Sequence, residues 1–192
     1  MKLFADSRRA SDFTGKYILL DTNFLSEILE DPDFFQDVLD FFKDGFLAID
    51  PLVRFEFLRD TFLPERLEPK EKLINDAEIF FPVIDHYELF SKLQNNALLL
   101  SKIYVHQNQA NCKPGFIDLM LASRLMLHPS RAVLVTANKK DFGSCVFDIT
   151  TVMNIERRGS ILSFVALIFN KTKFDTCMEE LGEARGMQGR IV

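Results

Sequence analysis

Four acidic side chains stand where carboxylates can do chemistry. Asp21 closes the apolar run Tyr17-Ile18-Leu19-Leu20 as the first residue of Asp21-Thr22-Asn23. Asp141 follows Val133-Leu134-Val135 by way of Thr136-Ala137-Asn138. Ligands in an open α/β sheet bind beyond the carboxyl ends of its strands, so polar residues that directly follow apolar runs come first. Each triplet alone also reads as a helix cap, because Asp, Thr and Asn accept hydrogen bonds from the unpaired N–H groups of a first helical turn.

Two further acids are harder to assign to capping. Asp118 is followed at i+3, i+4 and i+7 by Leu121, Ala122 and Leu125, the stripe of a helix that faces a core. Glu56 lies at i+4 from Leu52 and i+3 from Val53, again in an apolar sector. A carboxylate on a buried stripe is costly unless it is paired or metal-bound. Arg54, Arg59 or Arg124 could pair one such acid. For two inward acids and two at strand ends, a shared cation is the simpler account. His86, His106 and His128 are scattered, and Cys112, Cys145 and Cys177 form no C-x-x-C, so a zinc site or disulfide scaffold is not expected.

The elements that must position these acids alternate in type. Tyr17 to Leu20, Phe46 to Ile49, Phe80 to Ile84, Ala132 to Val135 and Val146 to Ile149 are short apolar runs that read as strands. Helices are expected from Phe24, over Phe34 to Phe42, and from Asp50-Pro51 to about residue 62. Others are expected from about Glu88 to Val105 and from Pro114 to about Leu127. Ile161 to Phe169 reads as a strand that joins a sheet edge or pairs with Thr151 to Ile155. Phe174, Cys177, Met178 and Leu181 mark the packing stripe of a last helix. Buried strands alternating with helices imply an α/β fold with a parallel sheet covered on both faces.

Composition bounds the rest. A chain of 192 residues has room for one ordinary domain, or one with an appendage. Its 47% apolar and 27% charged residues are those of a globular protein, and twenty Phe with no Trp suggest a ring-filled core. A net charge of −5 argues against a chain held on nucleic acid by bulk charge, but leaves room for an acidic site that takes a cation. The longest apolar run is too short to span a bilayer, and the first sixteen residues contain no apolar signal core. A cytoplasmic protein with no membrane partner is expected.

The ordered set Leu19-Leu20-Asp21-Thr22-Asn23, Glu56, Gly115-Phe116-Ile117-Asp118-Leu119-Met120-Leu121-Ala122 and Leu134-Val135-Thr136-Ala137-Asn138-Lys139-Lys140-Asp141-Phe142 resembles the PIN-domain family. That family contains metal-dependent ribonucleases, among them VapC-type toxins. The resemblance implies a three-layer α/β/α fold with a central, mostly parallel sheet over residues 17–150. Residues 1–16 precede it, and 151–192 form a C-terminal strand and helix extension packed on the same domain. It implies Asp21, Glu56, Asp118 and Asp141 as an acidic tetrad for Mg²⁺ or Mn²⁺, supported by Asn23, Thr136 and Asn138. RNA is the implied substrate and an antitoxin protein the implied partner of a toxin. Arg124, Lys139 and Lys140 would supply a phosphate-binding rim. A homodimer would suit an exposed edge at Ile161 to Phe169.

Two other readings stay open. The fold could serve as a catalytically weak RNA-binding or protein-interaction module, as the acidic net charge and the segment after residue 150 suggest. A phosphatase of the haloacid-dehalogenase type would want a second Asp two residues after the first, where this chain has Asn23.

Overall fold

The computed structural model describes residues 2–5, 13–59, 61, 63–76, 87–108, 112–157 and 159–188. The chain is mixed α/β, with helices carrying most of its length. The expected first strand is β2 (Tyr17–Leu20), and β1 (Lys2–Ala5) precedes it. Next come α1 (Thr22–Glu30), α2 (Pro32–Phe41), β3 (Phe46–Ala48) and α3 (Pro51–Arg59). α4 (Pro64–Asp76) has no counterpart among the sequence expectations. Two prolines and a run of charges hide its sparse apolar positions, of which Leu73 and Ile74 are buried.

The later elements are α5 (Tyr87–His106), α6 (Phe116–Leu127), β4 (Ala132–Thr136), a 3-10 turn at Lys139–Asp141, β5 (Phe147–Arg157), β6 (Ser160–Phe169) and α7 (Lys171–Gln188). The strand expected at Phe80 to Ile84 falls outside the described residues.

The sheet order is β1-β5-β6-β4-β2-β3. β2 pairs in parallel with both β3 and β4, setting Leu19 opposite Ala48 on one side and Leu134 on the other. β1 is antiparallel to β5, and β6 is antiparallel to β4, with Val135 opposite Ala166. The sheet is therefore mixed, and the parallel pairing expected through most of it is confined to β3, β2 and β4. Only two residues separate β5 from β6, one of them Gly159 at φ 80°, and parallel strands need a crossover of a dozen or more. β6 lies between β5 and β4, inside the sheet rather than at its edge.

β5 is longer than the run at 146–149 suggests. From Thr151 to Glu156 its residues alternate between buried (Thr151, Met153, Ile155) and half-buried or exposed (Val152, Asn154, Glu156), the signature of a strand with one face in a core. Val152 is 42% exposed between buried Thr151 and Met153.

The chain divides into two compact units. The first comprises Met1–Ile84, Ser130–Lys139 and Ile149–Leu167, and the second Asp85–Pro129, Lys140–Asp148 and Ile168–Val192. In the first unit, Ile18, Leu19, Leu20, Val133, Leu134 and Val135 have no exposed surface. Rings fill its core as the Phe content suggests: Phe24 meets Phe164 edge-on at 4.9 Å, and Phe13 meets Phe42 at 5.0 Å. Gly45 allows the chain to pass here, since a Cβ would stand 2.5 Å from Ile18 Cδ1 and 2.7 Å from the Phe13 carbonyl oxygen.

The second unit packs α5 against α6 and α7. Cys177 and Leu181 of the α7 stripe are buried, and Phe174 lies 5.5 Å from Phe169. Among the described residues, no helix is long and apolar enough to cross a membrane.

Candidate functional site

The first unit builds its polar centre where β2 ends. The Asp21 N–H still donates to the Val135 carbonyl at 3.1 Å, so the residue is held by the sheet before the chain turns into α1. Its side chain is only 5% exposed. Oδ1 accepts the Thr22 backbone N–H at 2.8 Å, which caps α1 as one reading of the triplet foresees. Oδ2 accepts the Thr136 hydroxyl at 2.6 Å and the Asn23 amide at 2.7 Å. The cap and the polar centre are the same carboxylate.

Thr136 and Asn23 lock this arrangement. Thr136 has no exposed surface, and its oxygen accepts from the Asn138 backbone N–H at 2.9 Å while its hydrogen goes to Asp21. The Asn23 amide also reaches Thr136 Oγ1 at 3.3 Å, and its carbonyl oxygen accepts the Ala137 N–H at 3.1 Å. The two strand-end triplets thus close on one another, because β2 and β4 are parallel neighbours and end at the same level. Asn23 and Thr136 stand where the resemblance places supporting residues. Asn138 contributes its backbone N–H.

Glu56, half-buried on α3, joins through Thr22. The Thr22 hydroxyl donates to Glu56 Oε2. Lys70 fastens the neighbouring stretch of α3, donating to the Phe57 carbonyl at 2.6 Å with its ammonium 4.8 Å from the centre of the Phe57 ring. Burial pushes the Asp21 carboxyl above its ordinary range. Hydrogen bonds from Thr136, Thr22 and Asn23 pull it back, and the Glu56 charge adds a further upward push.

The second unit carries the other two acids. Asp118 sits in the first turn of α6, where its Oδ2 accepts the Gly115 N–H at 2.8 Å. Leu121, Ala122 and Leu125 are buried as the stripe suggests, while Asp118 itself is half-buried at the helix start. Asp141 is 7% exposed on the 3-10 turn. Both acids act on Cys112, whose thiol is pushed up to about 11 by burial first, then by the Asp141 and Asp118 charges.

Two residues, Thr22 and Cys112, meet these acids without any role that their place in the sequence foretells. Thr22 was legible only as the middle of a capping triplet. Cys112 lies in a polar stretch whose fold no periodicity reveals. Among the proposed phosphate contacts, Lys139 and Lys140 are exposed. Arg124 is 5% exposed, because it follows Leu121 by three residues on the inward side of α6 and does not stand on an open rim.

In the first unit, the carboxylates of Asp21 and Glu56 offer only oxygen donors, which suits a hard cation such as Mg²⁺ or Mn²⁺. In the first unit, the buried Asp21 carboxylate beside Glu56 is a like-charged pair that such a cation would relieve. Among the described residues, no three His, Cys, Asp or Glu side chains are gathered as a metal-holding group. The chain matches no family model, no curated protein and no solved structure.

Proposed function

We propose that this chain is a divalent-metal-dependent endoribonuclease of PIN-like, three-layer α/β/α architecture, acting in the cytoplasm as the toxin of a toxin–antitoxin pair. One observation carries the reading. A buried Asp21 carboxylate stands at the end of a parallel strand, held by Thr136, Asn23 and Thr22, with Glu56 coupled to it.

Mg²⁺ is usually held by one or two carboxylates and keeps several of its waters, so a pair of this kind is a sufficient protein contribution. Asp21 and Glu56 of the first unit would hold the ion. When bound, the ion supplies an activated water and charge stabilisation for hydrolysis of an RNA phosphodiester. Asn23 and Thr136 keep the Asp21 carboxylate in one orientation. Lys139 and Lys140, both exposed, are suited to hold the RNA backbone.

The test is Mn²⁺ binding by calorimetry on wild type, Asp21→Asn and Glu56→Gln, followed by RNA cleavage with and without chelator. Saturable binding weakened in both variants, with cleavage abolished by chelator, is expected. Cleavage that persists in excess chelator overturns the reading. A second reading, a catalytically weak RNA-binding or protein-interaction module, is favoured by the Asp118 carboxylate, which is engaged in capping its own helix. It expects RNA binding that survives Glu56→Gln without metal-dependent cleavage.

A further inference from the structure

Thr22 makes two hydrogen bonds with different chemical origins. Its backbone N–H donates to Asp21 Oδ1, and its side-chain hydroxyl donates to Glu56 Oε2, 34 residues away on α3. The first bond needs only a peptide group at the start of α1 and survives any substitution except proline. The second needs a hydroxyl. Among the described residues, Thr22 is the one hydrogen-bond partner of the Glu56 side chain, and Oε1 takes no hydrogen bond from a described residue.

We propose that Thr22 is the positioning residue of the carboxylate pair: its hydroxyl orients Glu56 toward Asp21 and presents Oε1 to the divalent cation. This rests on the metal-dependent reading above. A half-buried glutamate has three side-chain torsions, and without a partner its carboxylate would spread over several rotamers in contact with water. The Thr22 hydroxyl removes that freedom at one oxygen and leaves the other for a ligand. As the first residue of α1, Thr22 is itself rigidly placed, because the preceding residue is anchored to β4 through the Val135 carbonyl. The β-branched side chain adds few rotamers of its own. Hydrogen-bonded partners of this kind set ligand orientation in metal sites, and their loss costs about 10- to 100-fold in metal affinity.

Thr22→Val removes the hydroxyl while keeping the branched shape and the backbone bond to Asp21, and Thr22→Ser keeps the hydroxyl while removing the methyl. Two measurements separate the possibilities. Calorimetric Mn²⁺ affinity should fall about 10- to 100-fold in Thr22→Val and stay near the wild-type value in Thr22→Ser. In metal-free protein, the ¹³C resonance of the labelled Glu56 side-chain carboxyl should move in Thr22→Val and hold in Thr22→Ser. Thr22→Ala stands in for the valine variant if that one unfolds in a thermal melt.

An unchanged Mn²⁺ affinity in Thr22→Val, or a loss in Thr22→Ser as large as that in Thr22→Val, overturns the positioning role. So does a Glu56 carboxyl resonance that ignores the missing hydroxyl. These outcomes, set against wild-type binding, leave the metal-dependent reading standing. A wild type that takes up no Mn²⁺ overturns both.

Discussion

The Thr136 hydroxyl donates to Asp21 Oδ2 at 2.6 Å across 115 residues of sequence. It ties the polar ends of two parallel strands into one fully satisfied group. The Thr136 oxygen also accepts from the Asn138 N–H and the Asn23 amide, so one hydroxyl serves two loops.

Thr136→Val should therefore be more costly than its size suggests. It takes a donor from a buried carboxylate and an acceptor from a part-buried N–H. Leaving buried polar groups unpaired costs about 1 to 3 kcal/mol. Chemical denaturation should show a loss in that range, with Thr136→Ser retaining most of the stability. A valine variant as stable as wild type would mean that these bonds contribute nothing net.

The Asp21 carboxyl sets a pH dependence whose sign follows from its burial. Its folded-state value lies above the ordinary 3.8, so folding favours the protonated form. The stability this contributes is fully present below about pH 3.8 and is lost as pH rises through the raised value. Asp21→Asn lacks that loss. In chelator, the melting temperature of the variant minus that of wild type should be largest at neutral pH and shrink toward pH 3.8. A difference that is flat across this window would show that Asp21 is not strained by its charge.

Cys112 should be a slow thiol. Pushed up to about 11, it carries little thiolate near pH 8, and alkylation followed by mass spectrometry should modify it sluggishly. Asp141→Asn removes the larger of the two charges that raise it, so the pH midpoint of modification should fall, more than in Asp118→Asn. Equal rates in wild type and both variants would separate the acids from the thiol.

Gly45→Ala tests the packing that underlies β2. The added methyl would press on Ile18 Cδ1 at 2.5 Å and on the Phe13 carbonyl at 2.7 Å. Overpacking of this kind costs about 1 to 3 kcal/mol. The melting temperature should drop while Mn²⁺ binding to the folded protein is retained. A neutral substitution would mean that Ile18 and the Phe13 segment yield more easily than their burial implies.

Sequence alone determined the elements whose signal is local. Runs as apolar as Tyr17 to Leu20 and Ala132 to Val135 have one stable use, as strands buried on both faces, and the acids and amides that follow them have to lie at strand ends. The inward stripe of α6 and the Phe-rich core were legible for the same reason: periodicity and ring content report burial directly. Tertiary structure decided what depends on pairing. β1 against β5 and β6 against β4 run antiparallel, and neither strand order nor strand direction is written in any one strand. α4 escaped because its few apolar residues acquire an inward face only from the neighbours they meet. The Thr22–Glu56 bond and the Asp141 and Asp118 charges on Cys112 join residues from separate elements. A hydroxyl, a thiol or a carboxylate has no partner in sequence, and only packing brings the second group within reach.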